Sequence, residues 1–413
     1  MNILFLHPNF PAQFWHLSKA LAMMGDKVVY LTTSTNGNRI GGVTAALYKR
    51  ARAVTKGIHP YLVPTEEAVI DGEAVAKALV TLREEHKFVP DVIVGHTGWG
   101  STLYCKDIYP DVPVVGYFEW YYKSHGSDAA FFPGEKVGIP TAMQIRTRNM
   151  HHLLNLASCD VRFTPTEWQK SQFPPEYQRD MKVIHEGIDT EFCKPHPGKK
   201  LVLDKKEDHE ALDLSKCPEI LTYVSRGLEP YRGYPQFISA AAMLLKRRPK
   251  LHVVIVGSDT TCYGGTPGKD KDGKEQTWKQ VMDGRVKYDK KRVHFLGHLD
   301  RLSYQTVLQA STVHVYYTRP FILSWSFLEA MSFGCAIVGS KTPPVEEVMV
   351  DGKNGLLANF RSPQHLAMRV EELLDHPDLR KRLGAAARQT ILEKYDVRDC
   401  VQKQIDMIYG AMK

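Results

Sequence analysis

Residues 220–237 read ILTYVSRGLEPYRGYPQF, an apolar run that leads through a glycine-containing loop into a segment with helical periodicity. The run is rich in β-branched residues and ends at Arg226, and the helical pattern starts near Tyr234. A strand, a turn with glycine and an amphipathic helix in that order are typical of a βα unit in a parallel α/β sheet. The stretch therefore predicts that an α/β domain starts well inside the chain.

Strand-like runs alternate with helix-period segments on both sides of this stretch. This alternation predicts two doubly wound parallel sheets in tandem. The predicted strands of the first half are NILFLH (2–7), KVVYLTT (27–33), DVIVGH (91–96), VPVVGYF (112–118), VRFTPT (161–166) and KVIHEG (182–187). Those that follow the quoted stretch are LHVVIVGS (251–258), RVHFLGH (292–298), VHVYYT (313–318), CAIVGS (335–340) and GLLA (355–358).

These patterns divide the chain into two Rossmann-like domains. The first covers residues 1–195, and a segment rich in Lys, Asp and Pro at 196–218 is predicted to be a linker. The second domain covers 219–395, and a helix at 396–413 is expected to pack back toward the first domain. Two sheets of this kind predict a ligand cleft between the domains, at the carboxyl ends of the strands.

Bulk properties exclude several classes of protein. A chain of 413 residues, with 43% hydrophobic and 24% charged residues, suits two globular domains. The net charge of +8 is scattered, which favours an anionic small molecule over nucleic acid. The seven cysteines contain no CxxC pair, so no zinc site is predicted. Without a signal-peptide pattern or a long apolar run, we expect a cytoplasmic protein.

The loop HPNFPAQF (7–14) contains no glycine, and this argues against a dinucleotide-binding dehydrogenase. Asn9 lies between two prolines at the entry to a helix, and Phe10 follows it. Backbone N–H groups at such a helix entry could bind a sugar or a phosphate. The alternative is an ordinary connecting loop stiffened by proline.

Two guanidinium groups, those of Arg226 and Arg232, come at the carboxyl end of the first strand of the second domain. Arginine stays charged at physiological pH and can bind phosphate oxygens through two parallel hydrogen bonds. The pair therefore predicts an anion site, and the alternative is a surface loop with two solvated arginines.

A third predicted component is the loop RPFILSWS (319–326), which enters a helix that Gly334 ends. The small side chains of Ser324 and Ser326, on either side of Trp325, would let a phosphate approach the free N–H groups of the helix start. Glu329 lies about one turn further in, where its carboxylate could accept hydrogen bonds from two ribose hydroxyls. Alternatively, Glu329 forms a salt bridge.

Taken together, these motifs resemble those of a known family. SRGLEPYRG, then VHFLGHLD (293–300), SFLEAMSFGCAIVGSKTPPVEEV (326–348) and DGKNGLLA (351–358) resemble the carboxyl-terminal domain of family-four glycosyltransferases of the GT-B fold. FTPTEWQKSQFP (163–174) and VIHEGIDTEFCKP (183–195) resemble that family's segment before the linker. The resemblance implies a GT-B fold and a glycosyltransferase activity.

The resemblance also implies roles for residues of the second domain. Arg226 and Arg232 match the basic pair that holds the donor diphosphate. The loop that receives the nucleobase is matched by Gly297, His298 and Leu299. Glu329 matches the ribose-binding second glutamate of the E-x7-E signature. Phe321 stands where the first glutamate would fall, and LSWS (323–326) replaces the usual glycine-rich turn.

In the first domain the family often has a histidine near the reacting carbon, after the strand that here reads VPVVGYF. Glu119 follows that strand in this chain, and His96 ends the preceding one. Either side chain could contact sugar hydroxyls or be a hydrogen-bonded structural residue. The neighbouring aromatic residues, Trp99 and Trp120 among them, fit a sugar-stacking wall or a core.

The expected reaction is transfer of a hexose from a UDP- or GDP-sugar to a glycan, a lipid-linked glycan or another hydroxyl acceptor, as in polysaccharide or lipopolysaccharide synthesis. The resemblance implies retention of the anomeric configuration. The Asp270 and Asp272 pair lies in a lysine-rich loop, so we expect neither a metal nor a cofactor. The alternatives are a nucleotide-sugar 2-epimerase, a phosphorylase-like enzyme and an inert nucleotide-sugar-binding protein.

The oligomeric state is not encoded in any of these patterns. One run, QIRTRNMHHLLNLA (144–157), is both basic and apolar. Such a run suits peripheral contact with the inner face of a membrane, and a buried helix would explain it as well.

Overall fold

A computed structural model describes residues 1–132, 134–206 and 209–412. The chain divides into two compact units. Unit 1 consists of Met1–Gly187 together with the chain from Val397 onward, and unit 2 is Ile188–Asp396. Each unit is built around a parallel sheet with helices, as the alternation of patterns predicts.

Within the described residues, unit 1 contains a sheet with the strand order β3-β2-β1-β4-β5-β6-β7, and every pair in it is parallel. Its strands are β1 (Asn2–Leu6), β2 (Lys27–Thr32), β3 (Val43–Leu47), β4 (Val92–His96), β5 (Val114–Tyr117), β6 (Val161–Thr164) and β7 (Met181–Val183). Strands β1, β4 and β5 are apolar almost throughout because both faces of the sheet are covered. The order reverses between β1 and β4, so the loops after these strands diverge there and leave room for a ligand.

Helices pack on both faces of this sheet. They are α1 (Trp15–Met23), α2 (Val63–Glu84), α3 (Cys105–Ile108), α4 (Ile139–Thr147), α5 (Met150–Ser158), α6 (Glu167–Lys170) and α7 (Pro175–Gln178). The C-terminal helix of the chain, which is numbered α15 below, spans Val397–Ala411 and packs beside α1. The Tyr409 hydroxyl on that helix donates to the Asp26 carboxylate at 2.7 Å.

Unit 2 contains a second parallel sheet, of strand order β12-β11-β10-β13-β14-β15, and a short antiparallel hairpin of β8 and β9. The strands are β8 (Val202–Leu203), β9 (Leu212–Asp213), β10 (Glu219–Gly227), β11 (Leu251–Ser258), β12 (Val293–Phe295), β13 (Val313–Tyr316), β14 (Ile337–Ser340) and β15 (Leu356–Ala358). The helices are α8 (Tyr234–Arg247), α9 (Trp278–Arg285), α10 (Arg301–Gln309), α11 (Trp325–Ser332), α12 (Pro343–Glu346), α13 (Pro363–Asp375) and α14 (Pro377–Lys394).

The segment expected to be a linker packs against unit 2. Leu201, Leu203 and Leu214 are buried in the core of that unit, where the two strands of the hairpin bring them together. The carbonyl of Cys193 accepts hydrogen bonds from the Ser332 hydroxyl at 2.6 Å and from an arginine of α14. The first unit therefore ends at Gly187, before the expected limit of 195. The expected linker belongs to unit 2 because its few apolar side chains are buried in the core of that unit.

Across the described residues, no helix is both long enough and apolar enough to cross a bilayer.

Candidate functional site

Arg226 and Arg232 both lie at the carboxyl end of β10 but in different environments. Arg226 is exposed, whereas Arg232 is buried. The Arg232 Nη1 atom donates to the Tyr316 hydroxyl at 3.2 Å, to the Thr318 hydroxyl at 2.9 Å and to the carbonyl of Ile322 at 2.9 Å. One arginine is thus fixed by the fold, and the other is free to reorient toward a ligand.

Aromatic rings enclose the guanidinium of Arg232. Its Cζ lies 5.2 Å from the ring centroid of Tyr263 and 5.8 Å from that of Phe321. Phe321 packs edge-on against Tyr231 at 5.5 Å and is in edge contact with Tyr263 at 5.1 Å. The residue that replaces the family's first glutamate therefore supports the cation through its ring face.

Glu229 is a buried carboxylate between the two arginines that the sequence analysis did not single out. Its Oε2 atom accepts the backbone N–H groups of Cys262 and Tyr263, the latter at 2.8 Å. Burial raises the pKa of Glu229, while these hydrogen bonds and then the charges of Arg232 and Arg226 act in the opposite direction. The sequence did contain a signal for Glu229, because a site that binds only anions would not be expected to have an acidic residue between two arginines, as in SRGLEPYRG.

The helix start predicted to bind a phosphate is linked directly to Arg232. Ser324 caps α11, and its hydroxyl accepts the backbone N–H of Ser326 at 3.3 Å. The backbone N–H of Ser324 donates to the Tyr316 hydroxyl at 2.8 Å, the same oxygen that Arg232 contacts. Trp325 is exposed at the first turn. The structure therefore brings Arg232 and the start of α11 together, but the N–H groups of Ser324 and Ser326, which were expected to be free, donate within the protein.

Glu329 lies on α11, one turn from this helix start. Its Oε2 atom accepts a 2.6 Å hydrogen bond from the hydroxyl of Tyr304 on α10. Burial raises the pKa of Glu329, and this hydrogen bond and the charge of Arg301 partly offset the effect. Tyr304 is a second residue that the sequence analysis missed, since no local pattern links α10 to α11.

The loop after β12 carries the predicted nucleobase residues. Gly297 has a φ of 59°, a left-handed conformation that favours glycine, and its carbonyl accepts the N–H of Gly257 at 2.8 Å. The imidazole of His298 is exposed, and Leu299 is buried in the core of unit 2. His298 is thus the one of the three whose side chain is available to a ligand, while Leu299 anchors the loop.

In unit 1, His96 and Glu119 come together at the carboxyl ends of β4 and β5. The His96 Nε2 atom lies 3.5 Å from Glu119 Oε2, and the Gln13 side-chain amide donates to Glu119 Oε1 at 3.1 Å. His7, at the end of β1, packs edge-on against His96 with ring centroids 5.0 Å apart. The sequence analysis missed His7 and Gln13, although His7 is the last residue of the first predicted strand.

Three imidazoles near this edge, those of His7, His151 and His152, have lowered pKa values, which favours their neutral form. Burial lowers the pKa of His7, and the neighbouring His96 lowers it further. Burial also lowers the pKa of His152 well below its usual value and that of His151 to about 4. Around Glu119, unit 1 therefore presents uncharged polar groups.

The four residues predicted to contact an acceptor or sugar differ in exposure. The side chain of Asn9 is exposed, and its backbone N–H donates to His7 Nδ1 at 2.9 Å. Phe10 is buried and packs edge-on against Tyr30, and Trp120 is buried as well. Trp99 remains 44% exposed. Asn9 and Trp99 can therefore reach a ligand, while Phe10 and Trp120 are core side chains that support their loops.

Asp270, of the predicted solvated loop, uses its carboxylate locally. Its Oδ1 atom accepts the backbone N–H groups of Asp272 at 2.9 Å and Lys274 at 2.8 Å. Within residues 1–132, 134–206 and 209–412, no group of three or more His, Cys, Asp or Glu side chains is arranged to hold a metal ion.

Two family models match the chain in succession. Residues 24–193 match the glycosyl transferase family 4 group, and residues 204–390 match glycosyl transferases group 1. An uncharacterised glycosyltransferase of Methanocaldococcus jannaschii is 25% identical over 54% of this chain and 51% of its own length. A D-inositol 3-phosphate glycosyltransferase of Frankia alni is 28% identical over 50% of this chain and 47% of its own length. The matches thus span about half the length of these relatives.

Solved structures match nearly the whole chain. HepE of Anabaena in complex with UDP aligns with a TM-score of 0.69 and 16% identity, covering 99% of this chain and 100% of that one. Sucrose-phosphate synthase of Thermosynechococcus elongatus aligns with a TM-score of 0.65 and 16% identity, covering 99% and 98%. With the two parallel sheets, these matches confirm the GT-B fold class expected from the sequence.

Proposed function

Because the chain belongs to the group 1 glycosyltransferases of family 4, we propose that it transfers a hexose from a nucleotide-diphosphate sugar to a hydroxyl acceptor, with retention and without a metal ion. The observation that carries the proposal is the Tyr316 hydroxyl, which joins Arg232 to the capped start of α11. A fixed cation and a helix N-terminus held by one oxygen atom form a preorganised anion site.

Unit 2 binds the donor. Negative charge builds on the departing diphosphate in the transition state, and Arg226, Arg232 and the positive end of the α11 helix dipole stabilise it. Arg232 needs little reorganisation because its hydrogen bonds hold it in place. The loop at His298 receives the nucleobase, and Glu329 accepts the ribose hydroxyls while Tyr304 holds its carboxylate.

Unit 1 binds the sugar and the acceptor through the edge that carries His96 and Glu119. Gln13 and His96 orient the Glu119 carboxylate, which contacts a sugar or acceptor hydroxyl. In front-side attack the acceptor oxygen bonds to the anomeric carbon as the bond to the leaving phosphate breaks, and the acceptor proton passes to that phosphate. No protein nucleophile and no cofactor beyond the donor substrate are then required.

A UDP-hexose is the first donor to test, because HepE was solved with both UDP and UDP-glucose. GDP-sugars are the second choice. We propose that the acceptor is a glycan or a lipid-linked glycan of a polysaccharide or lipopolysaccharide, and that the enzyme works on the cytoplasmic side of the membrane.

The test combines donor binding with turnover. One nucleoside diphosphate and its sugar should raise the melting temperature in a thermal shift assay. At a ligand concentration of 100 times the dissociation constant, the free energy of unfolding should rise by about 2.7 kcal/mol. Donor hydrolysis or transfer should continue in excess EDTA. Loss of turnover in EDTA with rescue by Mg²⁺ would refute the metal-independent mechanism.

Matched variants locate the site. Arg226→Ala should lose turnover, while Arg179→Ala, an exposed arginine just before β7, should behave as the wild type. An epimer formed from donor alone would assign the site to a 2-epimerase. Donor binding without hydrolysis or transfer to any acceptor would make the protein an inert nucleotide-sugar binder.

A further inference from the structure

Helix α9 and the loop before it border an open surface cavity of about 360 Å³. Residues 259–277 join β11 to α9, and although the structure describes all of them, they contain no helix and no named strand. Hydrogen bonds hold this long loop in place, because the N–H of Gln276 donates to the carbonyl of Gly268 at 2.9 Å and the Thr277 hydroxyl donates to Asp259 at 3.0 Å. Long ordered loops in compact domains are usually functional. The residues that line this cavity are none of the candidate site residues described above.

The side chains that line this cavity are of the types that recognise sugars. Trp278, at the start of α9, donates from its Nε1 atom to the carbonyl of Gly265 at 3.1 Å, which fixes the indole ring. Gln276 and Gln280 contribute amide groups, and Arg285 contributes a guanidinium. An indole offers apolar surface to a sugar ring, and amide and guanidinium groups form hydrogen bonds with hydroxyls. The cavity therefore suits a sugar better than an apolar ligand.

A second open cavity, of about 330 Å³, shares Arg285 with the first and is also lined by Arg361 and Gln236. Arg285 is exposed and makes no hydrogen bond or ion pair within residues 1–132, 134–206 and 209–412. The Gln236 Oε1 atom is buried and lacks a hydrogen-bond partner within the same residues. Guanidinium groups bind phosphate or carboxylate through two parallel hydrogen bonds. The second cavity can therefore hold an anionic group with a hydroxyl beside it.

The charges around the two cavities also favour an anion. The starts of α8 and α13 border the second cavity through Pro235 and Pro363, and the dipole at a helix start favours negative charge. Among the described residues that line either cavity, none is Asp or Glu. The acidic residue of α9, Asp283, accepts hydrogen bonds from Lys279 at 2.9 Å and from the hydroxyl of Tyr288, so its charge is engaged locally. An anionic ligand would therefore meet a positive potential along both cavities.

We propose that the two adjoining cavities, the α9 groove (Gln236, Gln276, Trp278, Arg285 and Arg361), bind an anionic sugar, which is a sugar ring that carries a phosphate or a carboxylate. The ring packs against Trp278, with its hydroxyls bonded to the glutamine amides, and Arg285 and Arg361 bind the anionic group. The proposal goes beyond sugar transfer, because the groove shares no residue with the candidate donor site. Binding to the groove can be measured without a donor or an acceptor.

Two probes test the proposal on the full chain, and they separate a free sugar phosphate from a polymer. Calorimetric titration with glucose 6-phosphate tests the first, and electrophoresis through gels that contain polygalacturonate tests the second. We expect at least one of these probes to bind, whereas glucose and dextran, which lack the charge, should not. Trp278→Ala and Arg285→Gln should each weaken binding roughly tenfold, as expected for the loss of a stacking surface or of a charge-assisted hydrogen bond.

The matched controls are Trp15→Ala, which removes a 40% exposed indole in unit 1, and Arg179→Gln, which removes an exposed arginine. Both should bind the probe as the wild type does, and melting temperatures check that every variant is folded. Wild-type protein that binds neither probe would overturn the proposal, as would undiminished binding by Trp278→Ala and Arg285→Gln. Binding that is lost in Arg226→Ala but kept in these two variants would place the probe in the candidate donor site and overturn the proposal as well.

Discussion

The carboxyl edges of the two sheets use opposite chemistry. In unit 2 the edge carries the permanent cations Arg226 and Arg232, with the buried carboxylate Glu229 between them. In unit 1 it carries His7, whose pKa burial lowers, next to His96 and the partly exposed Glu119. The same edge of the same kind of sheet can thus be a charged site or an uncharged polar one, depending on the side chains that end the strands.

The contrast arises because arginine and histidine side chains respond differently to burial. An arginine cannot lose its charge, so Arg232 is stabilised by its hydrogen bonds and by the rings of Tyr263 and Phe321. A histidine can lose its charge, and His152 does so. The charges of Arg226 and Arg232 should therefore stay constant with pH, whereas buried imidazoles such as His152 take up protons in acid.

The largest effects are expected from alanine substitutions of Arg226 and Arg232. Both should reduce catalysis, but only the change at Arg232 should also reduce stability. Arg232→Ala should lower kcat/KM by roughly 2–4 kcal/mol, about 30- to 1000-fold. It should also lower the free energy of unfolding by about 3 kcal/mol, because Tyr316, Thr318 and the carbonyl of Ile322 lose a buried donor. Arg226→Ala should lower kcat/KM similarly with an unchanged melting temperature. Steady-state kinetics and thermal denaturation check both variants.

Arg232→Lys is the control for this pair. It keeps the charge but cannot reproduce the guanidinium contacts, so stability should recover only in part. If Arg232→Ala melted like the wild type, the view that the fold fixes this cation would fail. An unchanged kcat/KM in Arg226→Ala would remove that residue from the site.

A smaller effect is expected from acid, and it should appear in unit 1. Buried imidazoles with lowered pKa values bind fewer protons than the unfolded chain, so stability is full above the unfolded pKa of about 6.5 and falls as pH falls below it. At about pH 5.5 each should cost roughly 1.4 kcal/mol. In unit 2, His314, whose pKa burial lowers to about 3, acts in the same direction, while the raised pKa values of Glu229 and Glu329 act in the opposite direction. Hydrogen exchange at about pH 5.5 and 7.5 should show protection lost from unit 1 first.

His152→Gln removes one of these imidazoles and should shrink the pH effect in unit 1, while the exposed His125→Gln should not. Equal loss of protection in both units would contradict the proposed contrast.

The smallest effect is expected at Glu329. Glu329→Gln should weaken donor binding about fivefold, near 1 kcal/mol, with little change in kcat, because ribose contacts persist from the ground state to the transition state. Calorimetric titration with the nucleoside diphosphate measures the change in the dissociation constant. The exposed Glu393→Gln on α14 is the matched control. A change in kcat without a change in affinity would argue against a ribose contact.

Much of the fold follows from the sequence, because most strands are short buried runs with strong periodicity. The run 144–157 divides between two helices, α4 and α5. Strand β3 (43–47) was not predicted, because it is an edge strand with little burial. The hairpin near 201–214 was also missed, since its apolar residues are few and separated by lysines.

The candidate site could be predicted only in its local parts. The sequence singled out Arg226, Ser324 and Glu329 because turns and helix starts have short-range signals, and their roles stay predictions. Tyr316 and Tyr304 were not, because each acts through a contact between elements that are distant in sequence. The burial of Phe10 and Trp120 was equally invisible, since an aromatic side chain in a loop can face either way.

The sequence by itself determined the two α/β units, the order of the strands along the chain and the residues that end them, because periodicity and turn chemistry are local. The tertiary structure decided which of those end residues meet. It fixed Arg232 and left Arg226 exposed, and it buried His151 and Asn155 of α5 while leaving Leu153 exposed. Burial and hydrogen bonding between distant segments set these outcomes, and no short stretch of sequence records them.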